Sequence, residues 1–298
     1  MVEGPFRGSI AVARGLVTAG ELRGPKYLRL FPDVYLASSA ATPDLGVWSR
    51  AAYLLVERRG GVLGGYAAAL LLGADCAPPG TPAEVIVAGG QRGHDHLLTH
   101  RGEVVGPDRW RVGGCVVTSP ERTAWDLGRR LDTTEAVVAL DALGRLRGFT
   151  LAQLLARRER EPGARGCRRL DRAVALADPR AESPMETRLR LLLINAGLPR
   201  PRVQHELVDE HGFVVARFDL AYPDELLAVE YDGRGHRRRE FSDDDRWRDT
   251  TTGDHGWHTM RFGRNDVLLS RRRTAAMVRN QLTLRAGIAA RALRTRPA

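Results

Sequence analysis

The chain has 298 residues, 43% hydrophobic and 28% charged, a length for two or three modules and a balance that excludes wholesale disorder. No apolar run approaches the roughly eighteen residues that span a bilayer. MVEGPFRGSI lacks a signal-peptide layout, and three scattered cysteines (Cys76, Cys115, Cys167) exclude a disulfide framework and a four-cysteine zinc site, so a cytoplasmic protein with no membrane partner is expected. Net charge is +10 and Lys26 is the only lysine among 46 basic residues, which excludes a GK[ST] phosphate loop and leaves an arginine excess suited to a polyanion such as DNA.

In chain order, residues 1–45 predict a short helix over Ser9–Leu16, a helix start at Thr18-Ala-Gly-Glu21, and a hairpin over Tyr27–Leu36 that turns at Pro32-Asp33. Two helices and a hairpin make a reduced winged-helix-like unit. It resembles the N-terminal domain of AbiEi-type antitoxins in Leu16-Val-Thr18, Glu21-Leu22 and the Tyr27-x-Arg-Leu…Pro32-x-Val-Tyr35 hairpin. That resemblance implies a protein partner through this region, as in a toxin–antitoxin pair. Only four residues separate Leu22 from Tyr27, too few for a recognition helix, so groove reading is not expected.

Residues 46–180 predict an α+β middle domain. Val47–Arg58 is helical up to Gly60-Gly61, and Gly64–Gly73 is a small-residue helix that should be buried. Glu84–Ala88 and Cys115–Thr118 are β-prone, and Ser119-Pro120 opens a further helix with a serine cap and a proline in its first turn. Thr118-Ser-Pro-Glu-Arg-Thr-Ala-Trp-Asp126 resembles the second domain of AbiEi-type proteins. His94-Asp-His96…His100 lies in a glycine-flanked loop and is taken as solvated polar residues rather than a ligand set. Arg157–Arg172, with Pro162 and Gly163 inside it, suggests a basic linker, placing a boundary near residue 180.

Residues 181–298 carry the chemistry. Ser183-Pro-Met-Glu186 starts a helix running to Asn195-Ala-Gly197. Phe213–Ala221 and Leu226–Asp232 form a hairpin about Tyr222-Pro-Asp-Glu225. A glycine loop with His236, a charged helix from Ser242 to Gly253, a strand over Trp257–Phe262 and a closing helix over Arg271–Leu293 complete the module. Pairing the hairpin across its turn sets Asp219 opposite Glu230, with Cβ atoms about 5 Å apart, and period two adds Asp232 to the same face. Each acid alone could be a solvated strand-end residue, but three on one apolar sheet are costly unless a cation holds them. Oxygen donors of this kind suit Mg²⁺, and the arrangement points to phosphodiester hydrolysis.

The ordered set Gln204…Phe218-Asp-Leu-Ala-Tyr-Pro223…Leu227-Ala-Val-Glu-Tyr-Asp-Gly233…His236…Asp245-Arg246…Gly256-Trp-x-x-Met-Arg-Phe262 resembles the endonuclease-domain family related to very-short-patch-repair (Vsr) endonucleases, within the PD-(D/E)xK nuclease superfamily. The resemblance covers about residues 182–270. It implies an α/β, restriction-endonuclease-like mixed sheet flanked by helices, and a Mg²⁺- or Mn²⁺-dependent DNA endonuclease. By it Asp219 and Glu230 are the metal-binding acids, Asp232 stands where the superfamily usually has its lysine, and His236 matches the branch's histidine. The module has no lysine, which excludes a lysine-activated water. Glu186 matches a helix carboxylate that often joins such sites, and Ser183-x-x-Glu186 is equally a capping box. Arg246 beside Asp245 is either a supporting residue of the site or part of a solvated helix face. Arg237, Arg238 and Arg239, with Arg271 and Arg272, are expected phosphate contacts. The alternative is a non-catalytic DNA-binding regulator or antitoxin-like protein on a nuclease scaffold.

Overall fold

A computed structural model describes residues 4–39, 42–90, 93–233 and 250–294, with side chains through residue 288. The chain divides into two units, Met1–Ala175 and Leu176–Ala298.

In the first unit, β1 (Phe6–Arg7), β2 (Tyr27–Phe31) and β3 (Val34–Ala37) form a sheet in the order β1-β3-β2, with Asp33 at φ 60° in the turn. Helix α1 covers Gly8–Ala13. The helix start at Thr18 closes on itself: Thr18 N donates to the Glu21 carboxylate at 2.8 Å and Glu21 N to Thr18 Oγ1 at 3.1 Å, and only a 3-10 turn, Glu21–Arg23, follows. No residues remain there for a second helix before β2.

Helix α2 (Leu45–Val56) begins where the Asp44 side chain accepts Val47 N at 2.9 Å, and its last turn ends at Gly60, whose left-handed φ of 70° a side chain would resist. β4 (Val62–Leu63), α3 (Gly65–Leu72), β5 (Ala83–Val87), β6 (Leu97–Arg101), β7 (Arg109–Val112) and β8 (Cys115–Thr118) follow. Their five-stranded sheet runs β6-β5-β4-β8-β7 and is mixed: β5/β6 and β4/β8 are parallel, β4/β5 and β7/β8 antiparallel. β5 and β8 are buried along their whole length, which explains their unbroken rather than alternating patterns. Leu63, Val85 and Val117 share one core with Ala51 and Val56 of α2 and with Phe31 and Leu36 of the hairpin.

Four helices complete this unit: α4 (Pro120–Arg130), α5 (Thr133–Arg145), α6 (Leu151–Arg160) and α7 (Cys167–Leu176), the last reaching one residue past the division. The stretch 157–172 is therefore not a linker. Its arginines are carried by amphipathic helices that bury Leu154 and Leu170, with 161–166 as the bend between them. The three thiols all lie buried in this unit, none in a disulfide, and burial pushes the Cys115 thiol up.

The second unit holds α8 (Pro184–Asn195), β9 (Arg202–Val208), β10 (Val214–Tyr222), β11 (Leu227–Tyr231), β12 (His258–Phe262), α9 (Arg264–Leu268) and α10 (Arg271–Arg294). The sheet order is β12-β11-β10-β9, antiparallel except for the parallel β11/β12 pair. Leu189 and Leu193 of α8, Val267 of α9 and Val278 and Leu282 of α10 pack against Leu220, Leu227, Val229 and Phe262. Ala216, Phe218, Ala228 and Trp257 form a second cluster. The sequence reading did not include β9. The class is α/β, mixed sheets with helices packed on them. No helix among the described residues is long and apolar enough to cross a membrane.

Candidate active site

The site gathers where α8 begins and β9, β10 and β11 lie side by side. Pro184 fixes the first turn of α8 and the Ser183 hydroxyl accepts Glu186 N at 3.2 Å, which sets the Glu186 side chain back along the helix start. The carboxylate does more than cap: its Oε2 accepts Glu182 N at 2.9 Å and Gln204 Nε2 at 2.9 Å. Glu186 is 7% exposed. Burial, and after it the charge of Asp219, holds its carboxyl above the usual 4.5.

Asp219 and Glu230 come next along β10 and β11, just past the last pair of their ladder. In that ladder Leu220 pairs with Val229 and Ala221 with Ala228. Asp219 is half-buried and its Oδ2 accepts Tyr231 N at 2.9 Å, so the carboxylate satisfies a strand amide of β11. Glu230, 6% exposed, meets a cation the sequence reading did not place: Arg261, its register partner on parallel β12, brings Nε to Glu230 Oε2 at 3.2 Å. Asp232 lies past the end of β11, exposed, its backbone N donating to Phe262 O at 2.9 Å.

The structure thus brings Glu186 and Asp219 within Coulombic reach, whereas Glu230 alternates with Val229 and Tyr231, which pack on the α8 side, and meets Arg261 instead. Arg271 and Arg272 are exposed in the first turn of α10. His236, Arg237, Arg238, Arg239 and Arg246 lie outside the described residues. Gln204, Tyr231 and Arg261 are the contacts missed. All three stand inside the motif string, but a string gives order and not which strand neighbours which. The histidines of the first unit do not converge as ligands. His96 stacks on Trp48 with centroids 4.0 Å apart, and His100 Nε2 meets Glu84 Oε2 at 2.8 Å.

Asp219 lies in Coulombic reach of buried Glu186 and, after burial, raises the proton affinity of its carboxyl. Among the described residues alone, no group of three or more His, Cys, Asp or Glu side chains is gathered tightly enough to hold a metal ion.

Comparisons with known proteins add relatives without a described activity. No family model matches the chain. Two proteins of Mycobacterium tuberculosis, "Uncharacterized protein MT2308" (strain CDC 1551 / Oshkosh) and "Uncharacterized protein Rv2248" (strain ATCC 25618 / H37Rv), are each 35% identical over 136 residues, 46% of this chain and 49% of the relative. The chain spans about half the length of the curated relatives it matches. No solved structure matches.

Proposed function

We propose that the second unit is a metal-dependent DNA endonuclease module with a restriction-endonuclease-like fold, akin to the Vsr-like family. The observation that carries this is the placement of buried Glu186 within Coulombic reach of Asp219, which with burial disfavours the charged form of Glu186. Asp219 and Glu230, with Glu186 beside Asp219, would hold Mg²⁺ or Mn²⁺, which supplies the charge that polarises a scissile phosphate and acidifies a water. Glu186 adds a carboxylate whose high proton affinity keeps it able to take up or release a proton near the reacting phosphate. His236 is the second proton-transfer candidate, by resemblance. Arg271, Arg272, Arg246 and Arg237–Arg239 are assigned to backbone phosphates, where contacts give affinity without base reading. The AbiEi-like region is assigned to a protein partner, and a cytoplasmic setting goes with both roles.

One observation favours a second reading. The Arg261–Glu230 pair neutralises the second acid within the sheet, which a non-catalytic DNA-binding scaffold would need and a metal site would not. A single experiment separates the two. The full chain is incubated with single-stranded, duplex, nicked and mismatched DNA, with EDTA, Mg²⁺ or Mn²⁺. Metal-dependent cleavage of any form supports the nuclease. DNA binding with no cleavage of any form assigns the scaffold.

A further inference from the structure

Gln204 is a non-glycine residue in the middle of a strand with φ at 51°, a left-handed conformation that L side chains rarely adopt. The strand pattern reverses at this point. Residues two apart on a regular strand share a face, yet Val203 packs in the core beneath α8 while His205 lies against Trp257, ring centroids 5.5 Å apart. The neighbour β10 reverses at the same level: Leu220 joins the α8 core, and Phe218 lies tilted against Trp257, ring centroids 4.7 Å apart. Phe218 pairs with His205 and Leu220 with Val203, so the two reversing residues, Gln204 and Asp219, stand opposite each other. Both strands therefore change face at one rung, and that rung carries a site acid and the residue whose amide reaches Glu186 at 2.9 Å.

We propose that Gln204 is the positioning residue of the carboxylate site: its left-handed backbone turns β9 so that its amide holds the Glu186 carboxylate against Asp219. This rests on the nuclease reading for its purpose but not for its geometry. Residues held in sparsely populated backbone conformations cluster at active sites and persist only where the surroundings over-determine them. Glycine at 204 would relax the backbone and lose the amide. Asparagine also tolerates the left-handed region, with an amide one methylene too short. Both substitutions separate the fold's preference from the site's.

The test uses the full chain. In EDTA, Gln204→Gly should melt as high as wild type or higher. In Mn²⁺, its metal-induced rise in Tm should shrink, apparent Mn²⁺ affinity should fall at least about tenfold, and cleavage should lose kcat with KM little changed. Gln204→Asn should match it in the metal readouts. A lower Tm for Gln204→Gly in EDTA, or an undiminished Mn²⁺ response, overturns the proposal. A metal-free measurement keeps it separate from the nuclease reading. The Gln204 side-chain amide resonance in wild type should move toward the free-amide position in Glu186→Ala, and an unmoved resonance overturns the proposal even if the enzyme cleaves. If wild type shows no metal response, the nuclease reading fails, and the amide resonance and EDTA melts still decide the role of Gln204.

Discussion

Two buried carboxylates, one in each unit, are treated in opposite ways. Asp126, fully buried on α4, has guanidinium groups on three sides: Arg122 Nε at 2.9 Å, Arg129 Nη2 at 3.1 Å and Arg130 Nη2 at 3.4 Å. Arg122 links it to Asp108, which takes two further bonds from Arg157 at 2.8 and 2.7 Å, and the Arg157 hydrogen bonds hold the Asp108 carboxyl below the usual range. Arg129 also lies over the Trp125 ring, 4.5 Å from its centroid. Glu186, buried nearly as deeply, has no guanidinium among the described residues. It has a side-chain amide, a backbone N–H and another acid for neighbours. In the first unit charge is neutralised where it is buried, as a folded core requires. At Glu186 no cation balances it among the described residues, whereas Glu230 of the same unit is paired with Arg261.

The strongest way to break that contrast is Asp219→Asn. It removes one of the two repelling charges with little change of shape, so the metal-free protein should melt as high as wild type or higher. Its stabilisation by Mg²⁺ should shrink and cleavage should fall by orders of magnitude, while DNA binding measured by anisotropy persists. Next in size, Asp126→Ala leaves three arginines facing a hole. Urea unfolding should show a loss of about 3–5 kcal/mol, and a loss below about 1 kcal/mol would remove the distinction between the two acids. Arg261→Met should cost about 1–3 kcal/mol without metal, because Glu230 loses one ion-pair partner, yet enlarge the Mg²⁺-induced rise in Tm. An unchanged metal response would place Glu230 outside the site.

Acidity sharpens the comparison by sign. The Glu186 carboxyl is raised above 4.5, so the stability it contributes is full below that pH and is lost as pH rises through its folded value. The Asp108 carboxyl is depressed below 3.8, so its contribution is present above that pH and is lost as pH falls through the folded value. Denaturation curves across pH should therefore diverge. Glu186→Gln should gain on wild type as pH climbs, whereas Asp108→Asn should be weaker near neutrality and converge with wild type in acid. Smallest of all, neutralising Arg271 or Arg272 should lower the log–log salt slope of DNA binding by about 0.9 for each phosphate that the arginine had neutralised.

Much of the fold could be read from residue pattern. The hairpin β10–β11 announced itself through Pro223-Asp224 between β-prone runs, and counting back from that turn gives its register as far as Leu220 opposite Val229. Strand β9 did not, because Arg202-Val-Gln-His-Glu-Leu-Val208 is an edge strand whose one deeply buried residue is Val203, and its face reverses at Gln204. The helices over 157–172 were obscured by arginines that read as solvated charge, when buried Leu154 and Leu170 tether them. At the site, the acids were legible as residue types embedded in apolar strands. Their partners were not, since Arg261 reaches Glu230 only through the parallel register and Gln204 reaches Glu186 only through its left-handed backbone.

The three thiols give this chain an internal clock. Cys76, Cys115 and Cys167 are all buried and all belong to the unit ending at Ala175, so the other unit is silent to thiol reagents. A buried thiol reacts with an alkylating reagent only while its surroundings are open, so the rate of modification counts openings of the first unit alone. Mass spectrometry resolves the three sites separately, one just after α3, one in strand β8 and one at the head of α7. Added Mg²⁺ that slows none of them, while raising the temperature at which the whole chain loses its structure, would locate the cation's effect without a single label being introduced.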